Sequence, residues 1–150
     1  MSRIVTLVLF LVLVVGGGVL IGTATVPGEW YEALAKPAFN PPNWIFAPVW
    51  TILYVMIAVA GWRVWTRTHT AGAMAIWWLQ LGLNFLWSPV FFTQKAIGPA
   101  FVIILALLVS ILAFISVTRR RDRVAALMFV PYAAWVAFAA LLNGSILVLN

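Results

Sequence analysis

The charged residues of this 150-residue chain fall into a few short clusters, and long uncharged segments separate them. Five windows, at 4–28, 37–62, 68–94, 96–118 and 124–150, contain no Asp, Glu, Lys or Arg. Each window exceeds the ~20 residues that a helix needs to cross the hydrocarbon core of a bilayer. The chain is 65% hydrophobic and 8% charged, a composition far from that of soluble domains. Because backbone groups in lipid must be hydrogen-bonded within their own segment, the windows predict helices.

We therefore predict an all-α integral membrane protein, a single bundle of five transmembrane helices that forms one domain over residues 1–150. The predicted spans are 4–25, 44–62, 71–92, 97–117 and 124–147. The first span has an alternative reading as a signal peptide, since Arg3 precedes it and small residues lie near its end. Its apolar run is longer than that of a usual signal peptide, which favours an uncleaved helix.

The basic residues predict the orientation of the bundle. With a cytoplasmic N-terminus, all seven arginines lie inside and only Lys36 and Lys95 lie outside. This matches the positive-inside rule and places the C-terminus on the opposite side. The bacterial inner membrane is the default location, with the outer membrane as the alternative. The same bias accounts for the net charge of +6, so no nucleic-acid partner is expected.

Several kinds of chemistry are disfavoured. The chain has no cysteine, which excludes disulfides and thiolate ligands. No ionisable residue lies within a predicted span, whereas proton pumps and ion-coupled transporters usually have one. The single histidine, His69, falls in a predicted turn at 63–70, where we expect a solvated loop residue rather than a metal ligand. We therefore predict no metal site.

The segment between the first two spans is rich in aromatic residues and proline. Residues 30–54 read WYEALAKPAFNPPNWIFAPVWTILY, with three Trp and four Pro. Proline stiffens the backbone, and Trp and Tyr favour the boundary between water and hydrocarbon. The segment predicts a stiff aromatic lid over the mouth of the bundle.

Uncharged polar and aromatic side chains recur at helical spacing within three predicted spans. They are Trp50 and Tyr54 in the second span, Gln80, Asn84, Trp87, Ser88 and Phe91 in the third, and Pro131, Trp135, Ala139, Leu142 and Asn143 in the fifth. If these faces converge, they form a pocket suited to a large, flat, apolar ligand that stacks on Trp. Carboxylates on such a ligand would have to reach Lys36 or the membrane boundary. The alternative is that the amides merely bond neighbouring helices.

Small residues four positions apart occur in three spans, and this spacing lets helices approach closely. The pairs are Gly18 and Gly22, Ala71 and Ala75, and Ala140 and Gly144. They serve either packing within the monomer or a homodimer.

Three stretches resemble the signature sequences of the TspO/MBR family, also called tryptophan-rich sensory protein, translocator protein or peripheral-type benzodiazepine receptor. They are the segment at 30–54, QLGLNFLWSPVFF at 80–92 and FVPYAAWVAFAALLN at 129–143. The resemblance covers essentially the whole chain. It implies a five-helix bundle, often a homodimer, that binds porphyrins such as protoporphyrin IX and isoquinoline or benzodiazepine drugs, and cholesterol in mitochondrial members.

The resemblance also implies site residues. The ligand pocket would comprise Tyr31, Pro41, Trp50, Tyr54, Asn84, Trp87, Trp135, Ala139 and Leu142. The two indoles that the family links to light-dependent porphyrin breakdown fall on Trp50 and Trp135. No bound cofactor is implied, because the porphyrin is itself ligand or substrate. A proposed sterol motif needs Lys or Arg within five residues after Tyr132, and none is present.

Three functions remain open, and we expect the first. It is a membrane protein that binds porphyrins for sensing, sequestration or transport. The second is an enzyme that degrades porphyrin with light and oxygen through Trp50 and Trp135. Since no conventional acid, base or nucleophile is present, the ligand's own photochemistry would do much of that work. The third is a transporter of lipids or small molecules in which the pocket is incidental.

Overall fold

A computed structural model of the chain describes residues 1–68 and 70–150. The prediction for His69 lies outside the described residues. Within them, five helices are long and apolar enough to cross a membrane, which confirms the predicted all-α bundle. They are α1 (Arg3–Ala24), α3 (Asn43–Thr68), α4 (Ala71–Thr93), α5 (Ile97–Thr118) and α6 (Arg123–Leu149). A short helix, α2 (Glu29–Ala33), lies between α1 and α3.

One predicted boundary is wrong. The second span was expected to end at residue 62 and to be followed by a turn at 63–70, but α3 continues to Thr68. Its last segment, Val64–Thr68, is a π-helical turn whose Val64 is buried. The prediction ended the span at residue 62 because Arg63 carries a charge. In the structure the Arg63 guanidinium pairs with Asp122, and the helix continues past it. The other predicted ends lie within two residues of the observed ones.

The spanning helices alternate in direction, which gives the bundle two chemically different ends. We call the end that carries Arg3, Arg63 and the cluster at 119–123 the arginine end. The opposite end carries residues 25–42, which fold across it, and we call it the lid end and these residues the lid.

At the arginine end, an ion pair joins α3 to the start of α6. Arg63 donates from Nη2 to Asp122 Oδ1 at 3.0 Å and from Nε to Oδ2 at 3.1 Å. Asp122 also accepts from the Ala125 amide at 3.2 Å and so caps the first turn of α6. A bidentate pair of this kind fixes both the distance and the angle between its partners.

The half of the bundle next to the arginine end is densely packed. Trp77 of α4 is fully buried, and Phe10 of α1 meets its ring edge-on at 5.2 Å. The Trp77 indole donates to the Ile57 carbonyl of α3 at 3.0 Å. Gly61 lies directly beneath the indole, where a Cβ would approach Cζ2 and Nε1 within 2.6 Å. Only glycine lets α3 and α4 approach this closely around Trp77.

Two glycines from the small-residue pairs meet aromatic rings of the same chain. A Cβ on Gly18 would overlap the Tyr54 ring, and one on Gly144 would lie 3.0 Å from Phe101 Cε2. These glycines therefore serve helix packing within the monomer.

Candidate functional site

A cavity of about 600 Å³ lies in the half of the bundle next to the lid end. Its walls come mainly from α1, α3, α4 and α6. Among its lining residues are Tyr31, Trp50, Tyr54, Asn84, Trp87, Trp135, Ala139 and Leu142. Of the nine predicted site residues, Pro41 is the one that lies elsewhere, in a smaller cavity within the lid. The volume is within the range of small-molecule pockets, roughly 300–1,000 Å³.

Aromatic rings on α3 and α6 form parts of the cavity wall. On α3, Trp50 and Tyr54 lie one turn apart, and their rings stack with centroids 5.5 Å apart at an interplanar angle of 30°. On α6, Trp135 meets Phe46 edge-on at 5.8 Å. Ala139 follows Trp135 by one turn and is small enough to leave open space beside the indole.

A buried hydrogen-bond network closes the cavity toward the arginine end. The Tyr132 hydroxyl accepts from Asn84 Nδ2 at 2.7 Å and donates to Gln80 Oε1 at 2.8 Å. The Tyr54 hydroxyl donates to Asn84 Oδ1 at 3.3 Å. Gln80 in turn donates to the Trp77 carbonyl at 2.9 Å. We call Tyr54, Asn84, Tyr132 and Gln80 the floor network, which joins α3, α4 and α6.

Sequence reasoning did not single out Tyr132 for the site. It lies three residues before Trp135, so helical spacing puts it on the same side of α6. Its hydroxyl is fully buried in an apolar span, and a buried hydroxyl usually has hydrogen-bond partners. A tyrosine at mid-span depth, on the same face as a predicted wall residue, was the available signal.

Nearer the lid, polar groups tie the helices together along the cavity. Trp87 Nε1 donates to Asn143 Oδ1 at 3.0 Å, and Asn143 Nδ2 donates to the Ile97 carbonyl at 3.1 Å. The hydroxyls of Thr25 and Ser88 lie 2.7 Å apart. Asn84 and Asn143 therefore do what both predictions expected of the amides. Each bonds a neighbouring helix, and each also lines the cavity.

The indole N–H of Trp135 differs from these groups. It is buried and has no hydrogen-bond partner among the described residues. A buried donor without a partner costs about 1–3 kcal/mol. Trp135 lines the cavity, but its N–H is covered by neighbouring protein atoms, so an occupant of the cavity would reach this donor only if the indole rotates.

Side chains from α4 and from Asn150, the residue that follows α6, hold the lid in place. Tyr31 is buried, with its ring 5.4 Å from that of Phe92. Asn150 Oδ1 accepts from the Ala35 amide at 3.1 Å, and its Nδ2 donates to the Ala35 carbonyl at 2.9 Å. Burial raises the pKa of the Tyr31 phenol, and the hydrogen bond to Asn40 lowers it, with burial the larger effect. The phenol is therefore neutral at ordinary pH.

Among the described residues, no three His, Asp or Glu side chains are grouped as metal ligands would be. The cavity offers neutral donors, aromatic faces and apolar surface. Such a surface can select a ligand by shape, stacking and a few hydrogen bonds.

The residues that the structure describes thus define an integral membrane protein whose spanning helices enclose an apolar cavity beneath an aromatic lid. Comparison with known proteins identifies the family within this class. The TspO/MBR family model matches residues 8–149, and the chain belongs to this family, as its signature stretches predicted.

Relatives from distant organisms share most of the sequence length. The tryptophan-rich protein TspO of Chlorobaculum tepidum is 37% identical over 155 aligned positions, which cover 99% of this chain and 98% of the relative. The tryptophan-rich sensory protein of Cereibacter sphaeroides is 36% identical, with 86% and 82% covered. The translocator protein of Homo sapiens is 34% identical, with 84% and 79% covered.

Proposed function

We propose that this protein binds porphyrins, such as protoporphyrin IX, and other flat apolar ligands in the cavity beneath the lid. The role would be tetrapyrrole sensing, sequestration or transport. The observation that carries the proposal is the pair of indoles, Trp50 and Trp135, that line a largely apolar cavity. A tetrapyrrole matches both features, because it is flat and largely apolar and its face can stack on an indole.

The first experiment is a titration of the purified, detergent-solubilised protein with protoporphyrin IX in the dark, followed by Trp fluorescence. We expect saturable quenching at micromolar ligand. Trp135→Phe reduces the ring surface available for stacking, so it should weaken binding about threefold, since an aromatic stack is worth about 0.5–1.5 kcal/mol. Trp65→Phe is the matched control, because Trp65 is exposed near the arginine end and does not line the cavity.

Quenching that rises linearly and never saturates would mean that porphyrin only partitions into the micelle. That result would reject the proposed function and favour the transporter with an incidental pocket. Equal affinity in the wild type and Trp135→Phe would reject Trp135 as a ligand contact.

A second candidate is light- and oxygen-dependent porphyrin degradation. It is favoured by one observation, that Trp50 and Trp135 both line the cavity. Illumination of the saturated complex in air should then yield a new absorbing species that is lost in Trp50→Phe and Trp135→Phe. Formation of the same species by both variants would reject a role for the indoles in degradation.

We also propose that the protein is a homodimer in the bacterial inner membrane, with its N-terminus in the cytoplasm. The arginine end, with its seven arginines, supports this orientation. The chain has no cysteine, so Ser2→Cys and Asn150→Cys can each be labelled alone with an impermeant maleimide on intact cells. We expect the maleimide to label Asn150→Cys and not Ser2→Cys. The mass of the detergent complex, corrected for bound detergent, tests the dimer.

A further inference from the structure

All seven arginines of this chain lie at the arginine end, and both lysines lie at the lid end. The positive-inside rule counts lysine and arginine alike, so orientation in the membrane does not explain this division. Arginine differs from lysine in its planar guanidinium, which can donate two parallel hydrogen bonds to the oxygens of one phosphate. The exclusive use of arginine at one end therefore points to a phosphate-bearing partner.

Four of the arginines lie in one short connection. Residues 119–123 read RRRDR and join α5 to α6, and we call them the arginine turn. The four arginine side chains are exposed, whereas Asp122 is buried. The Asp122 carboxylate pairs with Arg63 and caps α6 through the Ala125 amide. The one acidic residue at this end is therefore already neutralised, and it does not offset the charge of the exposed arginines.

Hydrogen bonds fix the shape of the arginine turn. The Thr118 carbonyl accepts from the Arg121 amide at 3.0 Å and from the Asp122 amide at 2.8 Å. Arg121 also donates from Nη1 to Thr70 Oγ1 at 3.2 Å, which ties the turn to the residue that precedes α4. Because the backbone of the turn is already ordered, a ligand that binds there causes little further loss of backbone entropy.

Two guanidiniums of the turn are not used within the protein. Among the described residues, the side chains of Arg119 and Arg120 have no hydrogen-bond or ion-pair partner, whereas Arg63 is paired with Asp122 and Arg121 is bonded to Thr70. Arg119 and Arg120 are therefore the groups that can bind a partner without breaking a contact of the fold.

The arginine turn begins where the hydrocarbon core ends. α5 has 22 residues, and at 1.5 Å per residue it spans about 33 Å, compared with about 30 Å for the core of a typical bilayer. Arg119 is the next residue, so the turn lies at the depth of the phospholipid head groups. Trp65, at the same end of the bundle, is 51% exposed, as is usual for tryptophan at the membrane interface.

We propose that the arginine turn is a binding site for an anionic phospholipid, whose phosphate accepts hydrogen bonds from Arg119 and Arg120. The proposal does not depend on porphyrin binding, because the turn and the cavity lie at opposite ends of the bundle. The competing explanation is that the arginines only orient the protein through their charge. Lysine would then serve as well as arginine.

The test is native mass spectrometry of the purified protein in a nonionic detergent. Phosphatidylglycerol and phosphatidylcholine with the same acyl chains are titrated separately, and the ratio of the two affinities measures the preference for the anionic lipid. We expect Arg119→Gln/Arg120→Gln to reduce this preference about twentyfold, since each arginine near an anionic lipid surface contributes about fivefold. Arg119→Lys/Arg120→Lys keeps both charges but loses the planar donors, so it should reduce the preference about threefold.

Two controls test whether the effect belongs to this site. Lys36→Gln/Lys95→Gln removes the same number of charges from the lid end and should leave the preference unchanged. Glycerol phosphate has the phosphate without the acyl chains, and at millimolar concentration it should not displace the lipid.

Three results would overturn the proposal. Equal affinity of the wild type for the two lipids, or an equal loss of preference in the lid-end variant, would mean that the turn does not select anionic lipid. Full preference in Arg119→Lys/Arg120→Lys would mean that charge alone attracts the lipid. Displacement of the lipid by micromolar glycerol phosphate would identify the partner as a soluble phosphate.

Discussion

Trp77 and Trp135 show how differently the two halves of this bundle use the same residue. Trp77, in the half near the arginine end, is fully buried, and its indole donates to the Ile57 carbonyl. Trp135, in the half near the lid end, is only partly buried, lines the cavity and has no acceptor among the described residues. One indole is fully paired within the core, and the other forms part of a cavity wall while its covered N–H stays unpaired.

The difference shows how a small membrane protein can combine stability with a site. In lipid, helices associate through close packing and interhelical hydrogen bonds, because apolar burial gives little net gain there. The half next to the arginine end has close packing, with Gly61 under Trp77, and interhelical hydrogen bonds, in the Arg63–Asp122 pair. The lid half gives up some packing for a cavity and compensates with the floor network and the lid contacts.

The largest effect on stability is expected from a methyl group added in the densely packed half next to the arginine end. Gly61→Ala would place a Cβ within 2.6 Å of the Trp77 indole, and both the ring and its surroundings are buried. Overpacking of this kind costs typically 1–3 kcal/mol, and we expect about 3 kcal/mol of lost stability here. Unfolding by SDS in mixed micelles measures it.

Gly22→Ala is the matched control in the lid half. A Cβ there meets nothing within 4 Å, so stability should be unchanged or rise by up to about 1 kcal/mol through helix propensity. Equal losses from the two substitutions would remove the contrast between the halves.

The two tryptophans can be compared directly by replacement with phenylalanine. Trp77→Phe loses the bond to Ile57 and leaves a void, so it should cost about 2 kcal/mol and leave porphyrin affinity of the folded protein unchanged. Trp135→Phe removes an unpaired buried donor, which favours folding, and loses part of the ring contacts with Phe46 and Phe138, which opposes it, so stability should change by less than about 0.5 kcal/mol. Unfolding and porphyrin titration of both variants distinguish a core residue from a cavity-wall residue. A large loss of stability in Trp135→Phe would contradict the assignment of Trp135 to the cavity wall.

Tyr132→Phe tests the boundary between the halves. It removes the hydroxyl that joins Asn84 to Gln80 and leaves both amides short of a partner. Interhelical hydrogen bonds in membranes are worth about 0.6–1.7 kcal/mol, so we expect a loss of about 1 kcal/mol. Because Asn84 also lines the cavity, ligand affinity should fall in parallel.

Tyr54→Phe is the comparison for Tyr132→Phe. It removes the longer 3.3 Å bond and should cost less stability. A larger loss from Tyr54→Phe would mean that the floor network is centred on Tyr54 instead of Tyr132.

The smallest effect on stability is expected at the lid. Asn150→Ala removes both side-chain bonds to Ala35, which are exposed to solvent, and should cost about 0.5 kcal/mol globally. Locally, hydrogen exchange at the Ala35 amide should become faster, while the Trp77 region stays protected. Unchanged exchange at Ala35 would show that the aromatic contacts of Tyr31 alone hold the lid.

Much of the site was predictable because its residues carry unusual chemistry for a membrane span. Asn84, Trp87 and Trp135 stand out as polar or amphipathic groups at helical spacing, and all line the cavity. For Tyr132 the sequence shows only its place on the same face as Trp135, because its partners Asn84 and Gln80 lie on a different helix. The resemblance implies that Pro41 lines the same pocket, but the structure places it in the smaller cavity within the lid, since the course of a proline-rich loop depends on what it packs against.

The sequence by itself determined that the chain spans a membrane, how many helices do so and which end carries the arginines. These features follow from segment length and charge, which act locally along the chain. Only the tertiary structure decided that α3 continues past Arg63, since the Asp122 that pairs with this charge lies 59 positions away. It likewise decided which indole is satisfied and which is not, because an acceptor is supplied by a different helix, and helix pairing is a property of the packed bundle.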